Sequence, residues 1–285
     1  METEQAQAKP GAGLVTSLSW TVVAEALQDM PTLFLSALVV NGAIQALQWA
    51  VNDRMPIPTP GQGPIARAMG IVSIYFVVYA AQSLVLASVA VAIHRLILRD
   101  EKADHIIAPF KSHTLRFAAW LTGLQLLWTL VLLAAPMRAI GGIGLLAVAM
   151  VAVGIAILFV TTRLSLMFPA IAIEAPAASL RQRIAASWAL SRGRFWLLFG
   201  SGLLALVPLF IGMFILGLAV FAAFALVLVA AGEPVHDLGS SMSWPKLILD
   251  DISRVMTAAL GAAVLSWNYR IAQMERAGVD FSPTR

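Results

Sequence analysis

The residues best equipped for chemistry are arginines. Arg181, Arg183, Arg192 and Arg194 fall within SLRQRIAASWALSRGRFW, and a planar guanidinium meets a phosphate through two parallel hydrogen bonds. On a helical wheel Leu180, Ile184 and Trp188 form an apolar stripe. Arg181 and Arg192 run along one edge of it, Arg183 and Arg194 along the other. Each edge would set its two arginines roughly 16 Å apart on a continuous helix. A helix of this kind, lying in the membrane plane, seats its stripe in the acyl boundary while its cations reach anionic headgroups. The pattern therefore predicts a phospholipid-headgroup or regulatory site, and an anchor that fixes helix orientation without a ligand is its plainer reading.

Arg163 differs because apolar residues flank it on both sides, ILFVTT before and LSLMFPAIAI after. A charge in such a run is a functional candidate by default. If residues 164–173 stay at membrane depth, Glu174 is the acidic partner to expect; if Arg163 ends its helix, it reaches the interface unaided. Asn41, Gln45 and Gln48 share a helix face, as do Tyr75, Tyr79 and Gln82 at the same spacing. Asn41 and Tyr75 fall at similar depth, so the two faces are expected to meet in interhelical hydrogen bonds; a polar transport path is the alternative. Asp250 and Asp251 are read as opening a helix, where carboxylates suit free N–H groups and the positive end of the dipole. His94, His105 and His113 are read as solvated, on or beside one loop.

Other chemistries find no support. With no cysteine there is neither thiol nucleophile nor disulfide framework. The chain holds no P-loop and no His-Glu-x-x-His, and its histidine spacing fits no metal motif. No cofactor, metal or nucleic-acid partner is expected.

The elements that must position these residues follow from composition. Hydrophobic residues make up 60% of the chain and charged ones 12%, against about 25% charged in soluble domains. An all-helical membrane bundle is the fold class, a single domain over residues 1–285. An interfacial helix, or an amphipathic lead-in to the first span, is read at 14–29, with Leu14, Leu18, Val22 and Ala26 on its apolar side. Six spans are placed near 31–51, 68–93, 117–135, 139–162, 196–230 and 247–269. The fifth contains Pro208 and is read as one long kinked helix, with a hairpin as the alternative. Residues 1–13 lack the basic start of a cleaved signal peptide, so the first span is expected to be retained. In a six-span layout 14 of the 19 Lys and Arg residues lie on the side shared by both termini, which places the termini in the cytoplasm. RFAAWL after Arg116 and RFWLLF after Arg194 look faintly alike, either as a parallel repeat of helix pairs or as ordinary cationic and aromatic inner ends.

The run RLSLMFPAIAIE followed by SLRQRIAASWALSRGRFWLLF resembles a recurrent feature of bacterial multispan proteins. These are the proteins similar to the membrane domain of glycerophosphoryl diester phosphodiesterases, YciC-like inner-membrane proteins among them. Arg163, Pro169, Ala170, Glu174, Ser187, Trp188, Leu190, Arg192, Gly193, Phe195 and Trp196 carry the likeness, and HRLILRDEKADH is similar to a loop in such proteins. The resemblance implies a fold and a bacterial inner membrane, not the phosphodiesterase activity, which belongs to a separate soluble barrel of about 200 or more residues. The expectation is a non-catalytic protein that binds anionic phospholipid or a membrane partner, or a second copy of itself, in envelope organisation or lipid handling. One alternative is a transporter or channel component with a path near Arg163. Another is an enzyme acting on lipid headgroups through Glu174, His94 and His105.

Overall fold

A computed structural model describes residues 10–54, 64–103, 112–133, 143–173, 179–231 and 243–279. Every regular element among them is helical: α1 (Ala12–Asp29), α2 (Pro31–Arg54), α3 (Pro64–Arg99), α4 (Ser112–Leu133), α5 (Ile143–Leu164), α6 (Met167–Ala172), α7 (Leu180–Leu190), α8 (Phe195–Ala231) and α9 (Ser243–Arg276). The described residues of all six predicted stretches are helical. Among the described residues four stretches are long and apolar enough to cross a bilayer: Pro31–Ala50, Phe76–Arg99, Val151–Ala172 and Phe195–Val227.

Local chemistry sets several boundaries. Proline opens both α2 and α3, where its missing N–H costs nothing and its fixed φ suits a helix. Asp100, at φ 56°, adopts the left-handed conformation that ends α3. α8 runs unbroken through Pro208 for 37 residues, about 55 Å at 1.5 Å per residue, so the single-helix reading holds and the hairpin does not. α7 starts with a capping box in which Ser179 accepts from the Gln182 N–H and Gln182 accepts from the Ser179 N–H. It stops at Leu190, because the backbone turns through Ser191 and Gly193, the latter at φ 74°. Arg192 and Arg194 therefore sit in a turn. The continuous helix that would carry two ranks of arginines does not form.

α9 is the axis of the bundle, with α3, α8, α1 and α2 packed around it. Its Ala259, Leu260, Ala263 and Trp267 are buried, as are Ala87, Val89 and Ile93 of α3. Small side chains let two backbones approach closely where lipid offers no hydrophobic incentive to associate. α1 crosses the end of this assembly. Thr16 Oγ1 near its start donates to the Ser201 carbonyl of α8 at 3.3 Å, and Asp29 at its end pairs with Lys102, just past α3, at 3.0 Å. Its buried face is Val15, Ser19, Val22, Val23 and Ala26, turned from the predicted stripe so that Leu14 is exposed. The turn follows from its partners, since α1 packs on α8 and α9 rather than only on hydrocarbon.

Candidate functional site: a cationic rim and a buried polar axis

The rim forms where α5, α7 and α8 come together. Arg163 stands one residue from the end of α5, with its guanidinium carbon 5.1 Å from the Phe159 ring centre and 5.0 Å from that of Trp188. A cation between two π faces is stabilised by their quadrupoles. Ser187, buried on α7, donates to the Arg163 carbonyl at 2.9 Å and clasps α7 to the end of α5. Glu174 lies outside the described residues.

The four rim arginines do not behave alike. Arg194 pairs with Glu275 near the end of α9; burial first, and the Arg276 guanidinium second, lower its pKa. Arg183 is half-buried. Arg181 and Arg192 are exposed, and no acid among the described residues pairs with either. Trp188 and Leu180, 41% and 54% exposed, sit beside them. From Trp188 a file of rings leads inward: Phe159 at 6.2 Å, Phe195 5.1 Å further, then Phe199 stacked on Phe195 at 5.9 Å.

Phe199 also lines an apolar crevice of about 390 Å³ between α4, α5, α6, α8 and α9. The hydroxyls of Thr161, Thr162 and Ser165 on its wall donate to carbonyls of Ile157, Leu158 and Thr162 at 2.7–2.8 Å. Satisfied by their own helix, they add little polarity to the wall. Gly202 and Gly261 complete it, and a Cβ on either would meet nothing within 4 Å. A lipid acyl chain fits such a space chemically.

The second polar region runs along α9. Asp251 is buried in its third turn, where Oδ1 accepts from Asn41 Nδ2 and, at 3.3 Å, from Gln45 Nε2. This overturns the capping reading: α9 begins at Ser243, so the carboxylate is too far along to cap anything. One turn on, Arg254 donates to Gln82 of α3 at 3.4 Å. The polar faces of α2 and α3 thus each engage α9 rather than only each other. Tyr79 is half-buried, and the Tyr75 side chain lies outside the described residues.

His94 is the clearest correction. It is fully buried, its Nδ1 2.6 Å from Ser266 Oγ and its ring 5.7 Å from Phe117. Residues 94–99, expected at the start of a loop, are helix, because α3 continues to Arg99. Arg95 and Arg99 at its end donate to the carbonyls of Ala172 and Ile173 that close α6. His113 is buried too, and His105 lies outside the described residues. Deeper on α9, Asn268 donates to Ser201 Oγ at 3.0 Å and to the Val264 carbonyl at 2.9 Å. Sequence reasoning missed Asp251, Arg254, Ser266 and Asn268 as members of one polar axis.

No family model matches the chain, and no curated protein or solved structure matches it. A functional reading rests on this geometry.

Proposed function

We propose that this is a non-catalytic protein of the bacterial inner membrane that crosses the bilayer six times with both termini in the cytoplasm. In this reading it binds an anionic phospholipid at the rim. The headgroup meets Arg181 and Arg192, Trp188 sits at headgroup level, and an acyl chain enters the crevice beyond Phe199. The observation that carries the proposal is the pair of exposed arginines that no acid among the described residues neutralises, on a rim from which a file of rings leads to an apolar crevice. The balance of basic residues towards one side supports the orientation. The role that follows is in envelope organisation or lipid handling.

The seating of Arg163 between two rings gives a transport path there no support, and His94, engaged with Ser266, is not offered to a cytoplasmic substrate.

Native mass spectrometry of the protein eluted from mixed anionic and zwitterionic lipid tests the proposal. Each arginine near an anionic surface contributes about 1 kcal/mol, so Arg181→Gln with Arg192→Gln should weaken anionic-lipid retention roughly thirtyfold. Arg194→Gln, whose cation Glu275 already engages, should weaken it far less. Equal retention by the double variant and the parent would remove the proposal.

A further inference from the structure

A carboxylic acid sits deep within the apolar bundle. Asp251 is 6% exposed and lies against Asn41, ten residues into α2 and so about 15 Å from its start. That is roughly half the hydrocarbon thickness, a depth at which an ionisable side chain calls for an explanation.

Its surroundings suit two states. In the ionised one Oδ1 accepts from Asn41 and Gln45, and Asn41 Oδ1, fully buried, is left with no partner among the described residues. A half-turn of the Asn41 amide exchanges its nitrogen and oxygen. The oxygen then faces the carboxyl and accepts an O–H from it, so protonation supplies the partner that the ionised state lacks. Space is close on the remaining side: a Cβ on Gly42 would stand 3.3 Å from Asp251 Oδ2.

Few charges compete. Arg254 is one turn away on α9 and exposed, and Asp250 and Lys246 are exposed on other faces of the helix. α2 from Pro31 to Ala50 and α8 from Phe195 to Ala231 carry no titratable side chain, nor does α6. α3 brings Gln82 and, a turn earlier, Tyr79. α1 has Glu25 and Asp29 in its last two turns, and Lys102, beyond the far end of α3, holds Asp29. Arg183 of α7 and Arg194 ahead of α8 belong to the opposite end of α9, beside Tyr269 and Glu275 respectively. The Arg254 guanidinium opposes a metal cation, which leaves a proton as the fitting ligand.

We propose that Asp251, Asn41 and Gln45 form a proton-binding site inside the bundle. The carboxylate takes one proton from hydronium to form an O–H bond, releasing water, and Asn41 turns from donor to acceptor. Uptake exchanges a charge-assisted contact between α2 and α9 for a neutral one, so the proton sets how firmly α2 holds α9. The inference rests on the membrane reading but not on the lipid rim, and it stands or falls separately.

Two measurements on the full chain in phosphatidylcholine nanodiscs decide it. Dicyclohexylcarbodiimide adds to a protonated carboxyl, which gives its proton to a carbodiimide nitrogen, and the adduct rearranges to a stable N-acylurea that peptide mapping locates. Labelling of Asp251 should fall at least tenfold as pH is raised from about 5.5 to about 9 and vanish in Asp251→Asn. Gln45→Leu, which removes a donor to the ionised form, should keep the label to a higher pH. A pH-jump infrared difference spectrum should show a carboxyl carbonyl band that Asp251→Asn removes, whether or not the reagent reaches the site. Absence of both signals in folded protein would overturn the proposal, as would a carbonyl band and label that stay unchanged across that pH range.

Discussion

α3 and α8 are both apolar, yet 61% of the most apolar stretch of α3 is buried against 11% of that of α8. α8 turns Leu203, Phe210, Phe214 and Leu226 outward, while α3 buries Gln82, Ser83, Ser88 and His94 among alanines and valines. In water the greasier helix would go inside. In hydrocarbon large apolar side chains gain nothing by leaving the solvent, and what holds helices together is close packing and hydrogen bonds that lipid does not provide. The interior is therefore chosen by small and polar residues, and hydropathy marks the lipid-facing surface.

The contrast can be broken first at Trp267, the largest side chain completely buried on α9. Trp→Ala in soluble cores costs about 3–5 kcal/mol, a figure that includes transfer from water. Here the unfolded reference is also apolar, so the cavity share should remain, about 2 kcal/mol, measured by reversible unfolding in bicelles. Next comes Ser266→Ala, which takes the partner from His94 Nδ1; a lost hydrogen bond between membrane helices should cost about 1 kcal/mol in the same assay. Ser179→Ala removes the capping box of α7 and should loosen that helix by about 0.5–1 kcal/mol, read as faster amide exchange over 180–190 with global stability nearly unchanged. The smallest effect is expected from Phe214→Ala on α8, 67% exposed. Lipid fills the gap there, and the loss should stay under about 0.3 kcal/mol. A loss near that of Trp267→Ala would mean that another protein surface, not lipid, covers α8.

Much of the fold was legible because a span is a length of chain without charge, and residues 31–51, 68–93, 117–135, 139–162 and 196–230 obey that rule simply. The same rule placed the last span at 247–269 but hid the polar face of α9. Asp250, Asp251 and Arg254 look like the edge of a membrane segment, but Asn41 and Gln45 engage Asp251 inside the bundle and Gln82 engages the exposed Arg254 at its side. A signal was present: Asp251 and Ser266 are 15 residues apart, within about 60° on a helical wheel, so one face carried two polar residues along its length. His94 was misread because Arg95 and Arg99 mimic an interface, whereas they donate to the carbonyls of Ala172 and Ile173 and pair with Glu101. At the rim the arginine spacing was visible, but the break at Gly193 was passed over as helix, and the Glu275 partner depends on where α9 ends.

Each internal polar group described on α2, α3 and α8 as bonded to α9 waits for a mate that the ribosome makes later: Asp251 for Asn41 and Gln45, Arg254 for Gln82, Ser266 for His94, Asn268 for Ser201. Until α9 is inserted, the earlier helices present unsatisfied amides and an imidazole to lipid, the kind of surface that membrane quality control can recognise. The hydrogen bonding of the earlier helices is thus completed only by the one translated after them.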